Sequence, residues 1–255
     1  MLRLALAFTT VSAAAWPQAH PDKLRALVKE AGAIAAVEIL STDYSATPAD
    51  GPMYAEARVL KRLRGSLPER IVFGASAWLG PSYRKGEQRV VFLKRLAGGR
   101  DYARKADWTA IETGAVELFF DPGSLASLTE NRLEEYLHKT AGIRPPRLAL
   151  EPAGKGPTGV AWVVRLTNAG DRAFCLAPEQ ISATLVAHGV NYAPPVRWDR
   201  SGLVELKPGM DLSGTLRLPA TQVNGASEAR ITIVNRTLRY PCPSWIGAVS
   251  APAKP

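Results

Sequence analysis

Between Ala55 and Phe73 the chain alternates apolar and polar positions with one interruption. Ala55, Ala57 and Val59 stand apart from Glu56 and Arg58, Gly65-Ser66-Leu67-Pro68 breaks the run, and Ile71 and Phe73 resume around Val72. A period of two sends alternate side chains to opposite faces, so the stretch predicts a strand, a turn and a strand. Val59-Leu60 shifts the phase and leaves Leu60 and Leu63 off the earlier face, which predicts a bulge or the end of pairing before the turn. We read it as the central hairpin of a small β-barrel.

The flanking pattern supplies the rest of that unit. Leu24, Leu27, Val28 and Ala31 at helical spacing, with Gly32 behind them, predict a short helix begun by Pro21 and Asp22. Ala33 to Ser41 predicts a first strand, with Glu38 facing water, and Tyr44 to Pro52 a connecting loop. After a glycine-rich excursion carrying Trp78 and Tyr83, the continuous Val90-Val91-Phe92-Leu93 predicts a strand buried on both faces. Gly98-Gly99 predicts a turn, Asp107 to Phe120 one or two more strands, and Leu125 to Lys139 a helix ended by Gly142. Pro145-Pro146 marks a boundary.

Beyond it, Gly159 to Asn168 alternates around Val160, Trp162, Val164 and Leu166, and strand patterns recur at Ile181–Ala187, Leu203–Leu206, Leu212–Leu218 and Ala229–Val234. Turn residues at His188-Gly189, Lys207-Pro208-Gly209 and Asn224-Gly225 fall between them, the rhythm of an antiparallel sandwich. The expected organisation is a mainly β chain. A barrel with a C-terminal helix spans 22–142, a β-sandwich 147–247 and a disordered tail 248–255.

Composition narrows the setting more than the fold. The formal charge of +9 is compatible with nucleic acid, an anionic surface or a merely basic protein. Arg3, the apolar Leu4–Val11 and Ala13-Ala14-Ala15 have the order of a secretory signal peptide, with cleavage expected after about Ala15. Residues 1–15 are therefore expected to be removed and the protein to be periplasmic or secreted, with no later apolar run long enough to span a bilayer. Export makes a nucleic-acid partner unexpected. Cys175 and Cys242 lie together in the second half, and an oxidising compartment makes one disulfide the default, contributing about 2–4 kcal/mol. Two buried thiols, or a reactive or metal-binding thiol, are the competing readings.

The hairpin also carries a family likeness. Ala-Arg-Val-Leu-Lys-Arg-Leu-Arg-Gly-Ser-Leu-Pro-Glu-Arg-Ile-Val-Phe, ending at Phe73, followed by Tyr-Arg-Lys-Gly-Glu-Gln-Arg-Val-Val-Phe-Leu from Tyr83, resembles the netrin module and the N-terminal domain of tissue inhibitors of metalloproteinases, in the form carried by secreted bacterial proteins. The likeness covers about residues 31–95. It implies a five-stranded OB-type Greek-key barrel. In the animal inhibitors the inhibitory edge is a free N-terminal cysteine that chelates the protease zinc; here no cysteine precedes Cys175, so zinc chelation does not carry over. Val164-Arg-Leu-Thr-Asn-Ala-Gly170 and Leu206-Lys-Pro-Gly-Met210 are similar to immunoglobulin-like sandwiches of exported proteins. Cys242 lies too near the chain end for the antibody pattern, so a disulfide would staple Tyr240–Trp245 to the region after the sandwich's first strand.

Catalytic spacing is not found. His20, His138 and His188 have no partner at triad or ligand spacing, and no nucleophile elbow, phosphate loop or His-Glu-x-x-His occurs. Glu134, Glu135 and His138 read either as half of a carboxylate–metal motif or as a solvated helix face. No cofactor is expected. Lys61, Arg62, Arg64 and Arg70 flank the hairpin turn, with Trp78, Tyr83, Arg84 and Lys85 close behind, and Arg89, Lys94, Arg95, Arg100, Arg104 and Lys105 follow. Basic and aromatic residues interleaved on such a barrel form a candidate face for an anionic polymer; an ordinary solvated surface with Trp78 in the core is the competing reading. Asn235-Arg-Thr237 matches a glycosylation sequon within a strand-like run. The expectation is a non-catalytic exported protein that binds a protein or an anionic cell-envelope polymer. Protease inhibition through the barrel's edge loops, using Trp16–Pro21 and Tyr44–Pro52, and an enzyme assembled from distant residues are the alternatives.

Overall fold

The computed structural model describes residues 21–43, 52–76, 83–96, 106–111, 117–156, 159–219 and 229–253. Helix α1 (Pro21–Glu30) leads into β1 (Ala33–Asp43), β2 (Pro52–Arg64), β3 (Arg70–Ser76), β4 (Gln88–Arg95), β5 (Trp108–Ala110) and β6 (Glu117–Phe120). Strand β1 pairs with both β2 and β4, and β5 bridges β3 and β4, so the order 1-2-3-5-4-1 closes a five-stranded barrel with β3 and β5 parallel. This is a closed five-stranded barrel, as the reading of the alternating hairpin predicts. Its interior is filled by small and large apolar side chains in turn, among them Ala35, Val37, Ile39, Ala55, Ala57, Phe73, Val91 and Leu93.

The phase change at Val59-Leu60 is a bulge. Ala36 pairs with Lys61 and Val37 with Val59, which leaves Leu60 as an extra residue; Ile34–Arg64 and Ala35–Arg62 leave Leu63 as a second. Each extra residue turns a leucine outward, and both pack against the apolar layer outside the barrel. There Ile34, Ala36, Val90 and Phe92 lie under Leu24, Leu27 and Val28 of α1 and under Leu133 and Leu137 of α2 (Glu130–Ala141). The run Val90–Leu93 is therefore buried on both faces, as its composition requires. Helix α2 begins later than its leucine spacing predicts. Thr129 caps it by accepting from the Arg132 N–H, and Leu125–Ser127 is a turn whose carbonyls at Leu125 and Ala126 accept from Lys61 Nζ at 3.0 and 2.8 Å.

The second half contains β7 (Arg147–Gly156), β8 (Gly159–Thr167), β9 (Phe174–Leu176), β10 (Ser182–Ala187), β11 (Val190–Tyr192), β12 (Val196–Trp198), β13 (Val204–Leu206), β14 (Asp211–Leu218), β15 (Ala229–Asn235), β16 (Thr237–Tyr240) and β17 (Gly247–Pro252). Antiparallel sheets β12-β14-β8-β7 and β11-β10-β15-β17 enclose Trp162, Val164, Leu185, Leu216, Ile231 and Trp245. Two features depart from the sequence reading. Residues 248–255 are expected to form a disordered tail, yet Gly247–Pro252 pairs along the whole of β15, because the exposed edge of β15 supplies a ladder for whatever chain lies beside it. Thr237–Tyr240, expected within the sandwich, crosses out of it and pairs in parallel with β6, so the barrel sheet ends on a strand from the second half.

Asn235 makes the corner between the two sheets. It is buried; its Nδ2 donates to the Thr237 and Trp245 carbonyls and its Oδ1 accepts from the Thr237 N–H at 3.2 Å. The sequon asparagine is thus committed inside the fold. The 1–15 segment, the 220–228 turn region and the Gly98-Gly99 turn lie outside the described residues, as does all of the Tyr44–Pro52 loop before Pro52.

The hairpin turn depends on Gly65. Its φ is +73°, and a Cβ there would stand 2.6 Å from the Gly32 carbonyl oxygen, against backbone that also anchors the start of β1. Gly65→Ala is expected to lower stability by about 1–3 kcal/mol in chemical denaturation; an unchanged midpoint would contradict this placement of the turn.

Candidate binding surface

Helices cover the outer face of β1 and β4 near their apolar positions, and β16 covers the edge of β6. On the outward side of β2 and β3, Arg58 and Arg70 are exposed and Glu56 and Val72 half-buried, as is Glu38 on β1, while Tyr54 is buried at the far end. The alternation that buries Ala55, Ala57, Ile71 and Phe73 turns Glu56, Arg58, Arg70 and Val72 outward. One cross-strand row runs Arg70, Arg58, Glu38 and Gln88 over four strands. The turn before β4 extends it, since Ile39 donates to Glu87 O at 2.9 Å and Gly86 donates to Ile39 O at 2.8 Å. Arg84 and Lys85, in that turn, are exposed.

The described members of the candidate basic set take different surroundings. Lys61 is spent on the Leu125 and Ala126 carbonyls. Arg62 Nε donates to Leu67 O at 2.6 Å and ties the hairpin turn. Arg64 reaches into the helix layer, pairing with Glu130 and, at 3.6 Å, with Glu134, and donating to the Val28 and Ala31 carbonyls at the end of α1. Tyr83 is buried, edge-on to Phe73 with 5.2 Å between ring centroids. Trp78, Arg100, Arg104 and Lys105 lie outside the described residues. Arg62, Arg70, Arg84 and Lys85 are the exposed described members of the candidate set, Arg62 with its Nε engaged, and Arg58, which the sequence reading passed over, joins them. Carboxylates answer part of this charge: Glu38 pairs with Arg58, and Glu56 with Arg70 at 3.9 Å.

Among the described residues the most buried charge is Arg89, 2% exposed. Glu87 pairs with it, and its guanidinium lies 4.6 Å from the Tyr83 ring centroid and 4.8 Å from that of Phe119, whose other neighbour is Arg239 at 5.1 Å. Cations between rings are stabilised by the ring quadrupoles, which offsets desolvation here. A cavity beside Arg89, lined also by Leu27, Phe92, Ile111 and Leu238, has a volume of about 20 Å³. That is room for one water.

Among the described residues no group of three or more His, Cys, Asp or Glu side chains is placed to hold a metal ion. His138 Nδ1 lies 3.3 Å from Arg25 Nη2, and Glu135 pairs with Lys139 at 2.7 Å, whose hydrogen bond and charge hold its carboxyl below the usual range. Glu134 and Glu135 stand on a solvated helix face. Cys175 and Cys242 form a disulfide with Cα atoms 5.9 Å apart. Among the described residues no helix is long and apolar enough to cross a membrane.

No family model and no curated protein matches the chain. Among solved structures it is similar to an uncharacterized beta-sandwich protein from Clostridium difficile 630, at 7% identity over 42% of this chain and 82% of that one, with a TM-score of 0.24. It is also similar to a protein from Archaeoglobus fulgidus, at 13% identity over 44% of this chain and 98% of that one, again with a TM-score of 0.24. Likenesses of this size carry nothing about function.

Two outcomes follow from these placements. Arg64→Ala removes a charged clamp between α1, β2 and α2 and is expected to cost about 1–3 kcal/mol, whereas Arg70→Ala, at a side chain 74% exposed, should stay within about 0.5 kcal/mol of the parent; urea titration of both proteins compares them. Tyr136 is buried against Tyr240, ring centroids 5.2 Å apart, and burial raises its phenol above the ordinary range. The folded state then keeps a proton that the unfolded chain loses near pH 10, so the phenol's contribution is complete below about pH 10 and declines above it. Tyr136→Phe should therefore lose less stability than the parent between about pH 9 and 11.5, measured as the shift in urea midpoint; parallel curves would refute the assignment.

Proposed function

We propose that this is an exported, non-catalytic interaction protein that meets its partner through the outer face of β2 and β3 and the turn before β4. The observation that carries the reading is the filled interior: among the described residues, apolar side chains pack the barrel from Ala33 to Leu93, and the cavity beside Arg89 has room for one water. A small-molecule site needs a few hundred cubic ångströms, far more than the cavity beside Arg89 offers, which supports a reading in which recognition falls to the surface. Within that surface Arg58, Arg70, Arg84 and Lys85 carry the cationic groups that remain exposed. A protein or an anionic cell-envelope polymer is the partner class they suit.

The likeness to netrin modules and metalloproteinase inhibitors belongs to this reading. What supports it is the 1-2-3-5-4-1 strand order together with the Gly65 turn between β2 and β3. Export is supported by the disulfide and by the apolar stretch before Ala13-Ala14-Ala15. Mass measurement of the mature protein should find its N-terminus near Trp16.

Charge reversal tests the face. The triple variant Arg70→Glu, Arg84→Glu, Lys85→Glu should keep the parent's thermal midpoint while eluting from a heparin column at lower salt and losing partners that copurify with the parent. Unchanged elution and unchanged partners would remove this face from the reading. A hydrolase or transferase activity abolished by a single substitution would overturn the non-catalytic reading itself.

A further inference from the structure

The disulfide does not join two strands of the sandwich core. Cys175 sits in β9, which pairs with β13 in the sandwich, and is 3% exposed. Cys242 lies in the turn just after β16, the strand hydrogen-bonded to β6 of the barrel sheet, and is half-buried. Between Asn235 and Gly247 the chain leaves β15, adds β16 to the barrel sheet and returns to the sandwich as β17. The crosslink therefore ties a sandwich strand to the segment that serves as the barrel's outermost strand.

Beside the β6 ladder and the packing of Leu238 and Tyr240 in the helix layer, the polar ties at this crossing are individual neutral hydrogen bonds. Cys175 N donates to Pro243 O at 2.8 Å, Ser244 N to Thr140 Oγ1 at 3.4 Å and Arg239 N to Ser244 Oγ at 3.3 Å. Each contributes less net stability than a crosslink over a separation of 67 residues, which removes conformations from the open ensemble. A four-residue parallel ladder is a short one to hold by itself.

We propose that Cys175–Cys242 is a redox-sensitive clamp between the barrel and the sandwich, and that a dithiol reductant opens it at Cys242. The attacking thiolate forms a bond to Cys242 Sγ as the Cys175–Cys242 bond breaks, and the departing Cys175 sulfur takes up a proton. The second thiol of the dithiol then displaces Cys242 as its thiol and leaves as an internal disulfide. The protein is reduced by two electrons and the dithiol oxidised by two. Attack falls on Cys242 because Cys175 is closed in by its own strand pairing. With the bond open, β16 keeps its ladder to β6, the packing of Leu238 and Tyr240 and the hydrogen bonds of the crossing but loses its covalent tie to β9, and the edge of the barrel sheet gains an opening motion that the sandwich does not share.

Two measurements test this on the full chain. Brief treatment with reduced glutathione, acid quenching and peptide mapping should place the mixed disulfide on Cys242; an adduct on Cys175, or no adduct without global unfolding, overturns the entry point. Amide exchange of the oxidised and dithiothreitol-reduced protein should show protection of 117–120 and 237–240 falling about tenfold or more on reduction, while β8 and β14 keep theirs. Equal protection in both states, or joint loss of the sandwich strands, overturns the clamp. Reduced wild-type protein gives the same comparison if the double variant Cys175→Ser, Cys242→Ser does not fold.

Discussion

The parallel pairing of β6 with β16 is the interaction on which both halves depend. Strand β6 meets β4 through a single register pair, Arg89 with Phe119, and would otherwise present its far edge unpaired. Strand β16 fills that edge and contributes to two environments at once. Leu238 and Tyr240 join the layer beneath α1 and α2, while Arg239 stands against Phe119 on the opposite face. The barrel's outer core thus includes side chains from the second half. The two halves are interleaved in sequence, and the buried Asn235 satisfies the backbone at the point where the chain changes sheets.

Much of this was legible where a segment's own neighbours decide its structure. The hairpin alternates because one face is core, and the misplaced Leu60 and Leu63 betray two bulges because each leucine has to reach the helix layer rather than the barrel. The segments that escaped notice take their structure from distant partners. Thr237–Tyr240 is too short to show a period, and its register comes from Glu117–Phe120. Gly247–Pro252 is built of small residues with no pattern of its own and becomes a strand because β15 offers an edge. Strand β7 carries Pro152 and Gly154, which read as breakers, and it is tolerated because it is an edge strand with a register shift at that point. The late start of α2 is another case: leucines at helical spacing are present from Leu125, but Thr129 provides a better N-terminus.

The candidate face was legible only in part, for a related reason. Basic residues adjacent in sequence on a strand point to opposite faces, and bulges rotate them further, so Lys61, Arg62 and Arg64 end against three different groups of acceptors. Their partners, Leu125, Leu67 and Glu130, lie in other elements, and nothing in the local pattern names them. Arg89 is the opposite case. A charge next to Val90–Leu93 signals burial with compensation, but its companions Tyr83, Glu87 and Phe119 are assembled by the barrel's closure.

What survives as surface has a particular electrostatic character. Arg58 and Arg70 are directly opposite across β2 and β3, a like-charge pair that costs about 0.2–1 kcal/mol in isolation. Glu38 and Glu56 relieve that repulsion from the neighbouring strand and from the same strand. An incoming anion must displace these carboxylates from the arginines, so it gains only the difference between two solvent-exposed pairings, each worth less than about 1 kcal/mol. On the proposed reading, affinity on this face comes from many contacts spread along a partner rather than from one strong site. It is screened by salt, because every charge involved is in water. An extended partner that spans the row from Arg70 to Arg84 and Lys85 meets that requirement; a single small anion does not.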